Sequence, residues 1–261
     1  MPVFETPQPV SLTIDLGIGD TRLHADDRSD TVVDVRPSDP GSDADVKAAE
    51  AATVEFVSGK LLVKAPKQRN IFGKAGSVDV TVDLPAGSDV RGVAREMAFR
   101  GTGRLGECRF KTSTGDIQLE LTGPLVAATS VGDIMVDRVD GPADASTGSG
   151  TVRIRELGGP AMIKNSNGGI SVDKAHAAVE AKAANGDIRI GEVVRGSVVL
   201  GTSIGQLEVG ISAGTAAKLD VRSVSGSVHN FMTAVDGPEP DDEVVEVYAN
   251  TTVGDVTIRR V

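Results

Sequence analysis

Counted from glycines at 115, 132, 150, 168, 186, 205, 226 and 254, the chain repeats one alternation of apolar and polar side chains. Two residues after each glycine stands a branched aliphatic: Ile117, Ile134, Val152, Ile170, Ile188, Leu207, Val228 and Val256. Four residues after it stand Leu119, Val136, Ile154, Val172, Ile190, Val209 and Ile258, with Asn230 as the one break. The residue between is mostly polar, as at Gln118, Arg153, Arg189, Glu208 and His229. Period-two alternation predicts a strand with one buried face. A second strand precedes each glycine, with Cys108, Leu125, Ala143, Ala161, Val179, Val198, Leu219 and Val247 seven residues upstream. Small polar residues, among them Thr112, Thr129, Thr147, Asn165, Thr202, Ser223 and Thr251, hold the position three before the glycine. At a corner they would bond one another or the corner backbone.

Successive glycines are 17, 18, 18, 18, 19, 21 and 28 residues apart. A fixed period of this length is the mark of stacked repeats, each burying its apolar face on its neighbours. The pattern predicts an all-β fold: a single-stranded parallel β-solenoid of about 18 residues per coil. A degenerate first coil around Met97, with Val90 and Phe99 in register, places the solenoid over residues 86–261. Residues 1–85 read as a non-repeating, β-rich N-terminal cap. Its strand candidates are Leu12 to Leu16, Thr31 to Arg36, Val54 to Val63 and Val78 to Leu84, with a short helix near 45–52. The Pro- and acid-rich stretch 231–242 reads as a surface loop. Because the chain stops at Val261 directly after a repeat strand, the sequence predicts an open ladder there, covered by end-to-end homodimerisation, by a partner or by that loop.

Composition narrows the functional classes. Aromatic residues are 3% of the chain and Trp is absent, which leaves no sugar platforms. The formal charge of -10 opposes nucleic acid as a partner. No apolar stretch is long enough for a membrane span, so membrane insertion is not expected. Cys108 is the only cysteine, so no intrachain disulfide forms. With no secretory pattern in the opening residues, cytoplasmic is the expected localisation.

Candidate chemistry is sparse. His24, His176 and His229 lie in separate segments without metal-ligand spacing. Asp116, Asp133, Asp187 and Asp255 follow repeat glycines, and capping of their own turns is the expected role ahead of calcium binding. Cys108 takes an inward position and reads as a buried hydrophobe. No residue is assigned as catalytic, cofactor-binding or metal-binding, and no cofactor is expected. Residues 60–111 hold eleven basic and five acidic groups. Arg91, Arg95, Arg100, Arg104 and Arg109, with Lys64, Lys67, Arg69 and Lys74, would either neutralise the acidic N-terminal segment or meet an anionic partner.

The runs Ser113-Thr-Gly-Asp-Ile117, Ser130-Val-Gly-Asp-Ile134, Ala184-Asn-Gly-Asp-Ile188 and Thr252-Val-Gly-Asp-Val256, preceded by Val82-Asp-Leu-Pro-Ala-Gly-Ser88, resemble the bacterial putative-adhesin family of β-strand repeat proteins. The resemblance covers about residues 75–261, and Ile18-Gly-Asp20 with Thr31 to Pro37 is similar to leaders of actinobacterial members. It implies the repeat fold and a domain of unknown function. The expected function is a non-enzymatic interaction or scaffold protein with a protein partner. The alternative is a carbohydrate-active β-helix enzyme with acids on one outer face.

Overall fold

The computed structural model describes residues 1–65, 75–233 and 243–261. Among the described residues it is all-β apart from one helix, and it divides into two compact units, Met1–Val131 and Gly132–Val261.

In the second unit, the strands after each glycine form one parallel ladder: Ile134–Val139, Val152–Leu157, Ile170–Ala175 and Ile188–Val193. Ile134 pairs with Val152, Val152 with Ile170 and Ile170 with Ile188, so each residue meets its own counterpart in the next repeat. The strands before the glycines form the second ladder, with Ala143 opposite Ala161 and Ala161 opposite Val179. Aliphatic side chains of both ladders meet in a core of Val, Ile, Leu and Ala. The corners need glycine. At Gly168, with φ +127°, a Cβ would lie 2.0 Å from the Gly150 carbonyl oxygen, so coils stacked this closely exclude any side chain there.

The C-terminal strands are not at the edge. Leu207 pairs with Val256 and Val256 with Val228, so Val256–Arg260 lies between Leu207–Ile211 and Val228–Asn230. In the other ladder Glu243–Val253 lies between Gly196–Ile204 and Thr215–Ser225. The open ladder expected at Val261 is therefore corrected: the edge strands are Thr215–Ser225 and Val228–Asn230. The physical reason is burial. Val245, Val247, Val256 and Ile258 are fully enclosed, whereas the coil left outside carries Asn230 in the core column and leaves Val228 46% exposed. Of the loop expected at 231–242, residues 234–242 lie outside the described residues.

A comparable interleaving occurs in the first unit. Ser11–Asp15 pairs in parallel with Asp89–Val93 on one side and Lys60–Lys64 on the other. Ile18–Asp26 does the same between Glu96–Arg104 and Val78–Pro85. Residues 11–26 thus repeat the coil geometry. Gly19, at φ +143°, stands in register with Met97, and Leu12, Ile14, Thr21 and Leu23 fill the same columns as the later repeats. The expectation that all of 1–85 stands outside the repeat is corrected to this extent. Among the described residues, antiparallel pairing joins Val3–Glu5 to Asp30–Pro37, Asp30–Pro37 to Val78–Pro85, and Thr53–Val57 to Lys60–Lys64. The helix spans Asp43–Glu50 and is capped by Ser42, whose side chain accepts from the Asp45 backbone N–H.

Phe99 and Phe110 lie 4.9 Å apart in the first unit's core, and Gly92 makes room for them: a Cβ there would be 2.5 Å from the Phe99 ring. Cys108 is buried between Val90 and Leu125, and burial pushes its thiol from an ordinary 9.0 up to about 12. The unfolded chain would lose this proton near pH 9 while the folded chain keeps it. The contribution to stability is therefore complete below pH 9 and is lost as pH rises from 9 towards 12. Native protein is expected to resist thiol labelling at neutral pH and to label stoichiometrically only in denaturant, and fast native labelling would contradict this burial.

Candidate functional site

Each polar corner position has a structural task. Thr147 Oγ1 donates to the Gly132 carbonyl oxygen at 2.9 Å, Asn165 Nδ2 to that of Gly150 at 2.8 Å, and Thr202 and Thr251 to those of Gly186 and Gly205. The column binds corner backbone, one of the two outcomes its composition allowed. The aspartates act between coils as well. Asp133 Oδ1 accepts the Thr151 backbone N–H at 2.7 Å, Asp187 that of Gln206 at 2.7 Å and Asp255 that of Ser227 at 2.8 Å. These three carboxylates reach the amide of the coil beside them, a wider role than the turn capping expected. In all three cases the donor coil carries a neutral residue at that position, so the carboxylate meets no like charge on that side. Among the described residues, no three His, Cys, Asp or Glu side chains converge as a metal site.

The outer face of the second unit's first ladder is charged, and its charges alternate from coil to coil. Arg138, Glu156, Lys174 and Glu192 stand in register on successive strands. Arg138 reaches Glu156 at 3.3 Å and Lys174 reaches Glu192 at 3.0 Å. Beside them Arg155 meets Asp137 at 3.3 Å and Arg153 meets Asp173 at 3.4 Å. His176 places Nε2 2.9 Å from Glu156 and is only part-exposed, so it belongs to this network. Lys174 and Ser212 together hold the Glu192 carboxyl below the usual range. Asp137, Arg138, Arg155, Glu156, Asp173, Lys174 and His176 line an open depression of about 490 Å³. A general acid would need a carboxyl pushed upward by burial or by a like charge. Here the acids face bases in open solvent.

In the first unit the basic belt divides between the two ladders. Arg100 faces the first ladder's exterior and meets Asp20 at 3.4 Å, while Arg22 joins Asp20 and Asp79. Arg95 pairs with Glu96 at 3.1 Å. Within the belt, Arg100 thus neutralises one acid of the N-terminal segment, Asp20, while Arg95 pairs with its own neighbour. The other ladder's exterior differs. Arg91 and Arg109 stand directly opposite each other on adjacent strands, and Lys111 follows two residues on. Arg109 has Glu107 at 2.6 Å, whereas Arg91 and Lys111 form no ion pair among the described residues. Neighbouring strands are about 4.8 Å apart, so two stacked guanidiniums repel unless an anion lies between or over them. Lys67, Arg69 and Lys74 lie outside the described residues.

His24 shares a hydrogen bond with Thr102 at 2.9 Å, and His229 stacks on Phe231 with ring centroids 6.4 Å apart. A second hollow, of about 270 Å³, is lined by Val199, Asp220, Arg222, Tyr248 and Asn250, with Tyr248 donating to Glu246 at 3.1 Å. Composition alone gave no signal for it, since Tyr248 is the chain's one tyrosine and meets Asp220 and Arg222 only through the interleaved strand order.

Parallel ladders, glycine corners and charged outer faces define a β-solenoid-like repeat protein. The chain belongs to the Toastrack DUF4097 family, whose model matches residues 12–260. No curated protein matches it. Similar solved structures include a putative lipid binding protein from Parabacteroides distasonis, with 12% identity, a TM-score of 0.49, and coverage of 100% of this chain and 95% of that one. A putative adhesin from Bacteroides fragilis has 12% identity, a TM-score of 0.45 and the same coverages. A putative adhesin from Parabacteroides merdae has 13% identity and a TM-score of 0.36, again covering 100% and 95%. No helix among the described residues is long and apolar enough to cross a membrane.

Proposed function

We propose that this chain is a non-enzymatic interaction or scaffold protein. Its parallel β-solenoid has coils of one glycine-to-glycine repeat each, and the helix and antiparallel strands that precede Ala86 act as the N-terminal cap. The observation that carries this reading is the division of its surface charge. Acids and bases neutralise each other along the second unit's outer face, while Arg91 and Lys111 beside Arg109 are left for an acidic protein surface. A cytoplasmic setting is part of the same proposal, supported by the single buried thiol and the lack of any disulfide.

The full-length chain and an Arg91→Glu/Lys111→Glu variant, each immobilised and exposed to native cell extract, test the proposal. Both substituted side chains are exposed, so the variant is expected to fold. An acidic protein retained only by the wild type, and released when salt is raised from about 0.05 M to about 0.5 M, is the expected result. Identical retention on both columns would contradict it.

A further inference from the structure

One of the strands left at the edge of the second unit is long, partly apolar and charged in an unusual order. Thr215–Ser225 is an eleven-residue strand with a neighbour on one side only among the described residues. Its inward residues Leu219, Val221 and Ser223 stand in register with the buried Val247, Ala249 and Thr251, yet they are themselves only half-buried. In the other ladder Val228–Asn230 is the edge, with Phe231 69% exposed beyond it. Protected edges commonly carry charges of one sign, which repel a second copy. This edge carries Lys218, Asp220 and Arg222 on its outward face, alternating in sign at every second residue, and Arg222 already reaches Asp220 at 3.2 Å within the strand.

We propose that this edge is a self-association surface, in which Thr215–Ser225 pairs antiparallel with the same strand of a second copy about a two-fold axis through Val221. An antiparallel two-fold pairs each residue with the one equally far beyond the axis. Asp220 then opposes Arg222 of the second copy, and Arg222 opposes its Asp220. Val221 faces Val221, and the half-buried Leu219 is covered by Ser223. The same axis serves the other ladder. Val221 lies five residues before the corner at Gly226 and Asn230 four residues after it, so an axis through Val221 emerges near Asn230 and brings the two Val228–Asn230 edges together. A two-fold centred on Leu219 would instead oppose Lys218 to Asp220, and the charge swap below distinguishes the registers. This proposal does not depend on the acidic partner suggested above, which concerns a different unit.

Light scattering over about 1 to about 100 µM reads the state of the full chain directly. The wild type is expected to approach twice its 26.9 kDa, Asp220→Arg to remain at 26.9 kDa, and Asp220→Arg/Arg222→Asp to recover the dimer. Circular dichroism confirms that each variant is folded. Val221→Cys supplies a second readout: antiparallel partners bring Cα atoms to about 4.5–5.5 Å, within disulfide reach, so mild oxidation is expected to give a covalent dimer while the buried Cys108 stays free. Wild-type protein that is monomeric throughout, as when this edge is covered from within its own chain, overturns the proposal. So does a charge-swapped double variant that stays monomeric.

Discussion

Ile188→Asp is expected to unfold the second unit or melt its central coils, at a cost of about 4 kcal/mol or more, while Arg189→Ala one residue away changes stability by less than ~0.5 kcal/mol. Ile188 is fully buried and pairs with Ile170 on one side and Leu207 on the other, so an aspartate there would leave a carboxylate among aliphatic side chains with nothing to neutralise it. Relaxation is limited because the coils on both sides place branched aliphatics in the same column. Arg189 points to solvent, and its 3.5 Å contact with Glu208 is of the exposed kind that contributes little. Thermal melts of the two variants check both values. Similar losses from both substitutions would refute the period-two register.

The repeat was legible because its constraints are local and recur. A glycine that no side chain can replace, aliphatics two and four residues later and a small donor three residues before together specify a corner and two strands. Those columns hold at Ile134, Val152, Ile170 and Ile188, and the structure pairs them rung on rung. The interleaved strands were not legible from spacing. Gly19 carries only part of this signature: Leu12, Ile14 and Leu23 are in place, but Thr21 stands where an aliphatic is expected and Leu16 where a small donor is. Its ladder neighbour Met97 lies several repeat lengths further along the chain, and a period search does not look so far. At the other terminus the signal was present and misread. Asn230 broke the aliphatic column, which marks its coil as the one that tolerates solvent and so belongs outside Val256–Arg260.

The charged surfaces became readable only once register was known. Arg138, Glu156, Lys174 and Glu192 are unrelated in sequence until strands of successive repeats are laid side by side. Likewise, the basic belt looked like one cluster along the chain. Alternation sends Arg100 to one ladder's exterior, where Asp20 meets it, and Arg91 with Arg109 to the other's, where neighbouring strands offer few acids. The second hollow depends on strand order too, since Asp220 reaches Tyr248 only because Glu243–Val253 lies beside Thr215–Ser225.

Strand order underlies the edge pairing and the correction at the C-terminus, and hydrogen exchange measures it directly. Amides in central strands exchange only through costly opening, whereas edge strands open readily. Exchange followed by mass spectrometry in the Asp220→Arg variant, which removes self-pairing, compares the two C-terminal coils free of any dimer contact. Peptides from Glu243–Val253 and Val256–Arg260 are expected to exchange at least about 100-fold more slowly than those from Thr215–Ser225 and Val228–Asn230, a difference of ~3 kcal/mol in opening free energy. Slower exchange in 215–230 than in 243–260 would place the C-terminal strand at the edge and contradict the interleaved fold.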